Sequence, residues 1–185
     1  MRLFAAITPP ARARAELEAL TAPLRPAWPQ LRWTSPDAWH VTLAFLGEVP
    51  DSIVPALRPG LEQAAHRSPR LELSIGGVDA FSAASQARVL WAGIHGDEPA
   101  LAALAGSAAA GARLAGTPLP DEHRRYRPHL TLARCRAPAD VRPLVQALAG
   151  FVGTPWQAAE IHLIRSHLGA RPRYEIVGSW PLAER

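Results

Sequence analysis

The tetrapeptide His-x-Thr-Leu occurs twice, as His40-Val41-Thr42-Leu43 and as His129-Leu130-Thr131-Leu132, 89 residues apart in a chain of 185. A shuffled chain of the same composition would hold on the order of 0.03 copies, so two copies, one in each half, are a constraint on the fold. Both copies sit in apolar, partly β-branched surroundings and read as strands. In a strand, residues i and i+2 share a face. His40 and Thr42 therefore point together, as do His129 and Thr131, while Val41, Leu43, Leu130 and Leu132 turn into an apolar layer. Each motif strand anchors on one face and offers an imidazole with a hydroxyl on the other.

The surrounding pattern places these strands in an α+β fold. Strands are expected at 2–8, 31–34, 40–46, 71–78, 88–94, 129–134, 156–166 and 173–178, the last two as a hairpin across Gly169-Ala170. Helices are expected at 10–24, 53–66, 97–114 and 140–149. Neighbouring strands mixed with helices argue for antiparallel sheets. Each motif strand follows an irregular Pro-containing loop and precedes a helix. The expectation is two pseudo-symmetric lobes around a central cleft, helices outside, with residues 1–185 forming a single bilobed domain. A hydrophobic share of 48% is enough to bury its core.

Histidine titrates near neutrality, with an ordinary pKa of about 6.5. Two histidines facing across one cleft can act as acid and base in splitting a phosphodiester without a metal. Threonine hydroxyls can hold the non-bridging oxygens while charge grows on them. Several other chemistries are excluded or disfavoured. All 20 basic residues are Arg, so no lysine is present for a covalent nucleotidyl intermediate or a Schiff base. Cys135 is the only cysteine, which rules out an internal disulfide and a thiolate metal cluster. No zinc-protease histidine spacing and no Gly-Lys-Ser/Thr phosphate loop occurs. No metal and no cofactor is expected. The first residues lack the apolar core of a signal peptide, and no apolar run approaches a membrane span. A cytoplasmic protein is the expectation.

The two motifs and their flanks also resemble a known family. Trp39 to Pro50 (W-H-V-T-L-A-F-L-G-E-V-P) is similar to the first signature of the bacterial and archaeal RNA 2′,3′-cyclic phosphodiesterases, also called 2′-5′ RNA ligases, of the two-histidine phosphoesterase superfamily. Tyr126 to Arg134 (Y-R-P-H-L-T-L-A-R) is similar to the second. Arg2 to Thr8 matches the opening strand of that family, and Ser166 to Leu182 its ending. The resemblance implies hydrolysis of RNA 2′,3′-cyclic phosphate termini to 2′-phosphomonoesters, independent of metal and ATP, with reverse 2′-5′ ligation open to the same site. It makes His40 the proton donor and His129 the acceptor, gives Thr42 and Thr131 the phosphate, and makes Arg134 a substrate contact. Strict alternation sends Arg134 to the face opposite His129, so its arrival in a cleft requires the strand to end or bulge there.

Arg124, Arg125 and Arg127 precede His129 and read either as RNA-phosphate contacts or as a solvated basic loop. Tyr126 and Phe45 are candidates to stack on a terminal base, with packing as the plainer role for Phe45. Asp37 or Glu48 can orient His40 or serve turn and surface roles. His162 is a candidate third catalytic histidine, with a surface or core role the plainer one. The expected partners are RNA ends, tRNA fragments among them, met by a monomer with no membrane contact. Two other functions fit the same residues: opening of a small cyclic phosphate or cyclic nucleotide, and RNA binding without turnover.

Overall fold

The computed structural model describes residues 1–119, 125–167, 169 and 173–184. Arg124, His123 and the turn residue Ala170 lie outside them. Among the described residues, nine strands form one antiparallel sheet: β1 (Arg2–Ile7), β2 (Leu31–Trp33), β3 (Val41–Glu48), β4 (Leu71–Phe81), β5 (Ala87–Gly96), β6 (His129–Ala139), β7 (Trp156–Ala158), β8 (Glu160–His167) and β9 (Arg173–Pro181). Four α-helices among the same residues accompany it: α1 (Ala11–Thr21), α2 (Val54–His66), α3 (Glu98–Leu114) and α4 (Arg142–Leu148).

The strand order is β7-β4-β5-β6-β3-β1-β8-β9, with β2 beside β6. Four strands lie on each side of the β6–β3 junction, and each motif strand is the innermost of its half. The two expected sheets thus meet along a seam as one sheet. The segment 156–166 differs from the single expected strand. Trp156–Ala158 pairs with β4 at one end of the sheet, and Glu160–His167 pairs with β1 in the other half. Ala159 is the crossing point, where the chain leaves one lobe for the other.

Period-two patterning sorts the two faces. Leu3, Ala5 and Ile7 of β1 and Val41 and Leu43 of β3 join Leu57, Leu61, Leu101 and Leu104 of the helices in one core. Phe4, Ala6 and Ile164, with Phe45 against them, form a small apolar floor on the opposite face. Buried residues of all four helices join this core, and among the described residues no helix packs on the second face. Burial of the large core makes the sheet two-sided, because β1 is apolar on both faces.

Helices α2 and α3 pack at unusually close range. A Cβ on Gly60 would lie 2.7 Å from the Gly111 Cα, and one on Gly111 would lie 2.9 Å from the Gly60 backbone. Gly111 is therefore a packing glycine. Gly106, on the same helix, has open space beside it and is exposed. Opposite effects are expected from the same substitution. Gly111→Ala should destabilise by ~1–3 kcal/mol through overpacking. Gly106→Ala should stabilise by ~0.5–1 kcal/mol through helix propensity. Urea titrations of both variants check this pair of signs.

Candidate active site

The two halves meet where Val41 of β3 pairs with Leu130 of β6, antiparallel. Both side chains are fully buried. That pairing carries each motif alongside the other in reverse. Extending the register by one residue either way sets His40 against Thr131 and Thr42 against His129. All four side chains are half-buried on the open face, and all four line one pocket of roughly 300 Å³.

Both rings are aimed by the same device. The Nδ1 of His40 lies 2.8 Å from the Ala38 carbonyl oxygen, and the Nδ1 of His129 lies 2.7 Å from that of Arg127. A carbonyl only accepts, so Nδ1 carries the proton in each ring. The neutral form then has a bare Nε2 that can take a proton, and the charged form has an Nε2–H that can give one. The backbone ahead of His40 is fixed by a short turn at Pro36–Ala38 and by Trp39, which is buried in the core. Neither flanking carboxylate orients His40: Asp37 pairs with Arg14 at 3.2 Å, and Glu48 lies near the chain's N-terminal amine.

Aromatic rings hold each imidazole from the sides. Phe4 lies 4.5 Å from the His40 ring and Tyr174 meets it edge-on at 5.2 Å. Phe81 meets His129 edge-on at 4.7 Å, with Trp91 at 6.0 Å. This apolar surround disfavours the charged imidazolium. Burial lowers the His40 pKa to about 4, helped by the charges of His129 and Arg134 and opposed by the Ala38 hydrogen bond. Burial also lowers that of His129, with Arg134 and Arg127 adding to the effect.

Arg134 reaches the pocket because β6 bulges. Leu90 of β5 pairs with Ala133 and Trp91 pairs with Thr131, which leaves Leu132 as an extra residue. Leu132 and Ala133 are both buried, and alternation resumes in the opposite phase, with Arg134 on the histidine face. Strand β3 does the same at the same place. Ala5 of β1 pairs with Ala44 and Ala6 pairs with Thr42, which leaves Leu43 extra and returns Phe45 to the pocket. The repeated unit is thus His-x-Thr-Leu-Ala, with the unpaired extra residue at the Leu of both copies.

Other expected residues fall elsewhere. Tyr126 does not line the pocket; its hydroxyl donates to the Thr42 carbonyl oxygen at 3.0 Å, pinning the second-motif loop to the first-motif strand. Burial raises its pKa. Arg127 and Arg125 are exposed; Arg127 lies over the Trp91 ring at 6.0 Å and is not in the pocket wall. His162 is buried, bonds Ser179 Oγ at 2.8 Å through Nδ1, and stays out of the pocket. Cys135 is half-buried, and burial raises its thiol pKa. Arg2, Phe4, Ser166 and Tyr174, from the opening and closing segments that resemble the family, enter the wall together with Thr34; each belongs to a strand or strand end whose place depends on long-range pairing. Among the described residues, Arg2 and Arg134 are the charged side chains in the wall beside the two imidazoles, and no carboxylate lines it. Among the described residues, no cluster of three His, Cys, Asp or Glu is placed to hold a metal.

Fold and site together define an α+β protein with paired imidazoles and two arginines in one pocket between two sheet halves. The chain belongs to the 2′-5′ RNA ligase superfamily, whose family model matches residues 9–170. It is 31% identical to the RNA 2′,3′-cyclic phosphodiesterase of Thermus thermophilus over 192 residues, covering 98% of this chain and 90% of that protein. It is 26% identical to the RNA 2′,3′-cyclic phosphodiesterase of Geobacillus stearothermophilus over 97% of this chain, which spans 56% of that relative's length. The crystal structure of TT0787 of Thermus thermophilus superposes with a TM-score of 0.83 at 28% identity, covering 100% of this chain and 99% of that one. E. coli LigT complexed with 3′-AMP superposes with a TM-score of 0.77 at 28% identity, over 98% and 97% of the two chains.

The depressed His40 pKa makes the fold sensitive to acid. The unfolded chain takes up this proton near pH 6.5 and the folded chain only near 4. The stability that His40 contributes as a neutral ring is complete above about pH 6.5 and is lost as pH falls toward 4. The loss is at most about 3 kcal/mol, given ~1.4 kcal/mol per unit of pKa. His40→Gln should therefore lose less stability than the parent between pH 7 and pH 4.5. Denaturant midpoints that fall in parallel for the two proteins would contradict this.

Proposed function

We propose that this chain hydrolyses RNA 2′,3′-cyclic phosphate termini to 2′-phosphomonoesters by metal- and ATP-independent acid–base catalysis, with residues 1–185 acting as one bilobed unit. The carrying observation is the pair of imidazoles, each with Nδ1 tied to a backbone carbonyl, lining one pocket with Arg2 and Arg134. In this reading His129 Nε2 takes a proton from water as the water oxygen bonds to phosphorus. The phosphorus–O3′ bond breaks, and the Nε2–H of His40 protonates the departing O3′. The phosphate stays on O2′. Thr42 and Thr131 donate to the non-bridging oxygens, and Arg134 balances the charge that grows on them. Phe45 is the apolar wall against which the terminal base rests.

The donor must carry a proton that burial resists. A phosphate anion between the rings opposes that effect, because a nearby negative charge favours the imidazolium. The reverse path joins a 2′,3′-cyclic phosphate to a 5′-hydroxyl, using the strain of the cyclic ester instead of ATP. With water at ~55 M, mass action favours hydrolysis. The family membership and the two relatives named RNA 2′,3′-cyclic phosphodiesterase support this choice of substrate.

An oligonucleotide with a 2′,3′-cyclic phosphate end, incubated with the protein in EDTA, should yield a 2′-phosphate. His40→Ala and His129→Ala should each lose ~10²–10⁴-fold in rate while keeping the fold. No 2′-phosphate product, or full activity in either variant, would overturn the reading. The pH profile adds a separate check. The kcat/KM rises as the free-enzyme acceptor loses its proton and falls as the donor loses its own. With His40 near 4 and His129 below its ordinary value, the maximum should lie on the acid side of 6.5. A plateau extending through pH 8 would contradict that order.

A further inference from the structure

A second pocket, of roughly 530 Å³, opens from the first and shares Thr34, Ala38, Arg134 and Tyr174 with it. Its wall adds Arg25, Arg32 and Arg136, and among the described residues no carboxylate lines it. Arg32 of β2 stands directly opposite Arg134 of β6 in the strand register. Like charges at directly opposed positions repel and destabilise a sheet. Arg136 follows Arg134 by two residues and is exposed like it. Arg25 is satisfied by an ion pair with Glu18 and lies 5.8 Å over the Trp33 ring. Among the described residues, Arg32, Arg134 and Arg136 have no carboxylate partner. An unpaired, cross-strand arginine pair beside a third arginine is tolerated because the cost is small in water, and it becomes favourable when an anion sits among them.

We propose that this second pocket is a phosphate subsite for the RNA strand itself, holding the phosphodiester on the 5′ side of the cyclic end while the first pocket holds that end. This rests on the reading above and extends it, since it makes a polynucleotide the preferred substrate over a mononucleotide. Arg134 lines both pockets and so ties the reacting phosphate to its neighbour. Arg32 and Arg136 belong to the upstream phosphate alone. The charges set position and affinity and carry no base preference, because they address the backbone.

The test compares two substrates at several salt concentrations: a nucleoside 2′,3′-cyclic monophosphate and an oligonucleotide ending in the same nucleotide. The oligonucleotide should have the higher kcat/KM and the steeper salt dependence. Arg32→Gln and Arg136→Gln should each lower its kcat/KM several-fold and flatten its log–log salt slope by about 0.7, the value for one single-strand phosphate contact. Turnover of the monophosphate should stay unchanged, and melting temperatures should not fall. Equal kcat/KM for both substrates, or equal losses on both in the variants, would overturn the subsite. If neither substrate turns over, the hydrolase reading fails, and fluorescence anisotropy with the same oligonucleotide still reads the subsite. Weaker, less salt-dependent binding in the two variants would support it, and unchanged binding would overturn it.

Discussion

The contact between Val41 and Leu130 is the hinge on which the site depends. It is the registered pair between the two sheet halves, and it is buried on the helix-covered side. Antiparallel pairing about that point reverses one motif against the other. Each histidine is thereby brought beside the opposite threonine on the open face. The hydrophobic residue between histidine and threonine in each motif is therefore the part that assembles the pocket. A polar residue at either position would cost the seam its burial and leave the two imidazoles without a common frame.

Once placed, the rings are tuned by simple means. A carbonyl two residues upstream holds Nδ1 in both cases, so no separate carboxylate is needed to select the tautomer. A carboxylate there would raise the pKa and add negative charge to a pocket whose other charges are arginines. The aromatic neighbours act in the opposite direction and push protons off. Near neutral pH the imidazoles are thus neutral beside the positive Arg2 and Arg134. Under the proposed reading an anion between the rings favours the imidazolium, which would couple proton donation to substrate binding.

Much of this was legible in the residues. The period-two pattern around both motifs gives their strand placement and the direction of all four key side chains. The helix spans follow from spacing to within a few residues. Other features depend on distant pairing. Nothing local to Trp156–Ser166 tells that the chain changes lobes at Ala159, because both pieces are good strand sequence. Arg134 looks misdirected on strict alternation, and the unpaired Leu132 against β5 corrects it. Tyr126 sits next to the second motif and invites a substrate role, yet its hydroxyl is spent on the Thr42 carbonyl across the seam. The aromatic collars from Phe4, Tyr174, Phe81 and Trp91 come from four different strands, so no sequence window contains either of them.

The near-symmetry of the site also explains where its asymmetry must come from. Histidine, threonine, the bulge and the orienting carbonyl are duplicated, and a fully symmetric pocket would not distinguish the attacking water from the leaving oxygen. The first pocket-facing position after each bulge breaks the equivalence: Phe45 on β3, Arg134 on β6. One half thus presents an apolar ring beneath Arg2 at 5.1 Å, and the other a guanidinium. A nucleotide has the matching polarity, with a flat base at one end and a charged phosphate at the other. Apart from the buried Val41 and Leu130, this is the position at which the two repeated segments differ, and under the proposed reading it sets which way round the substrate lies and which imidazole meets the water.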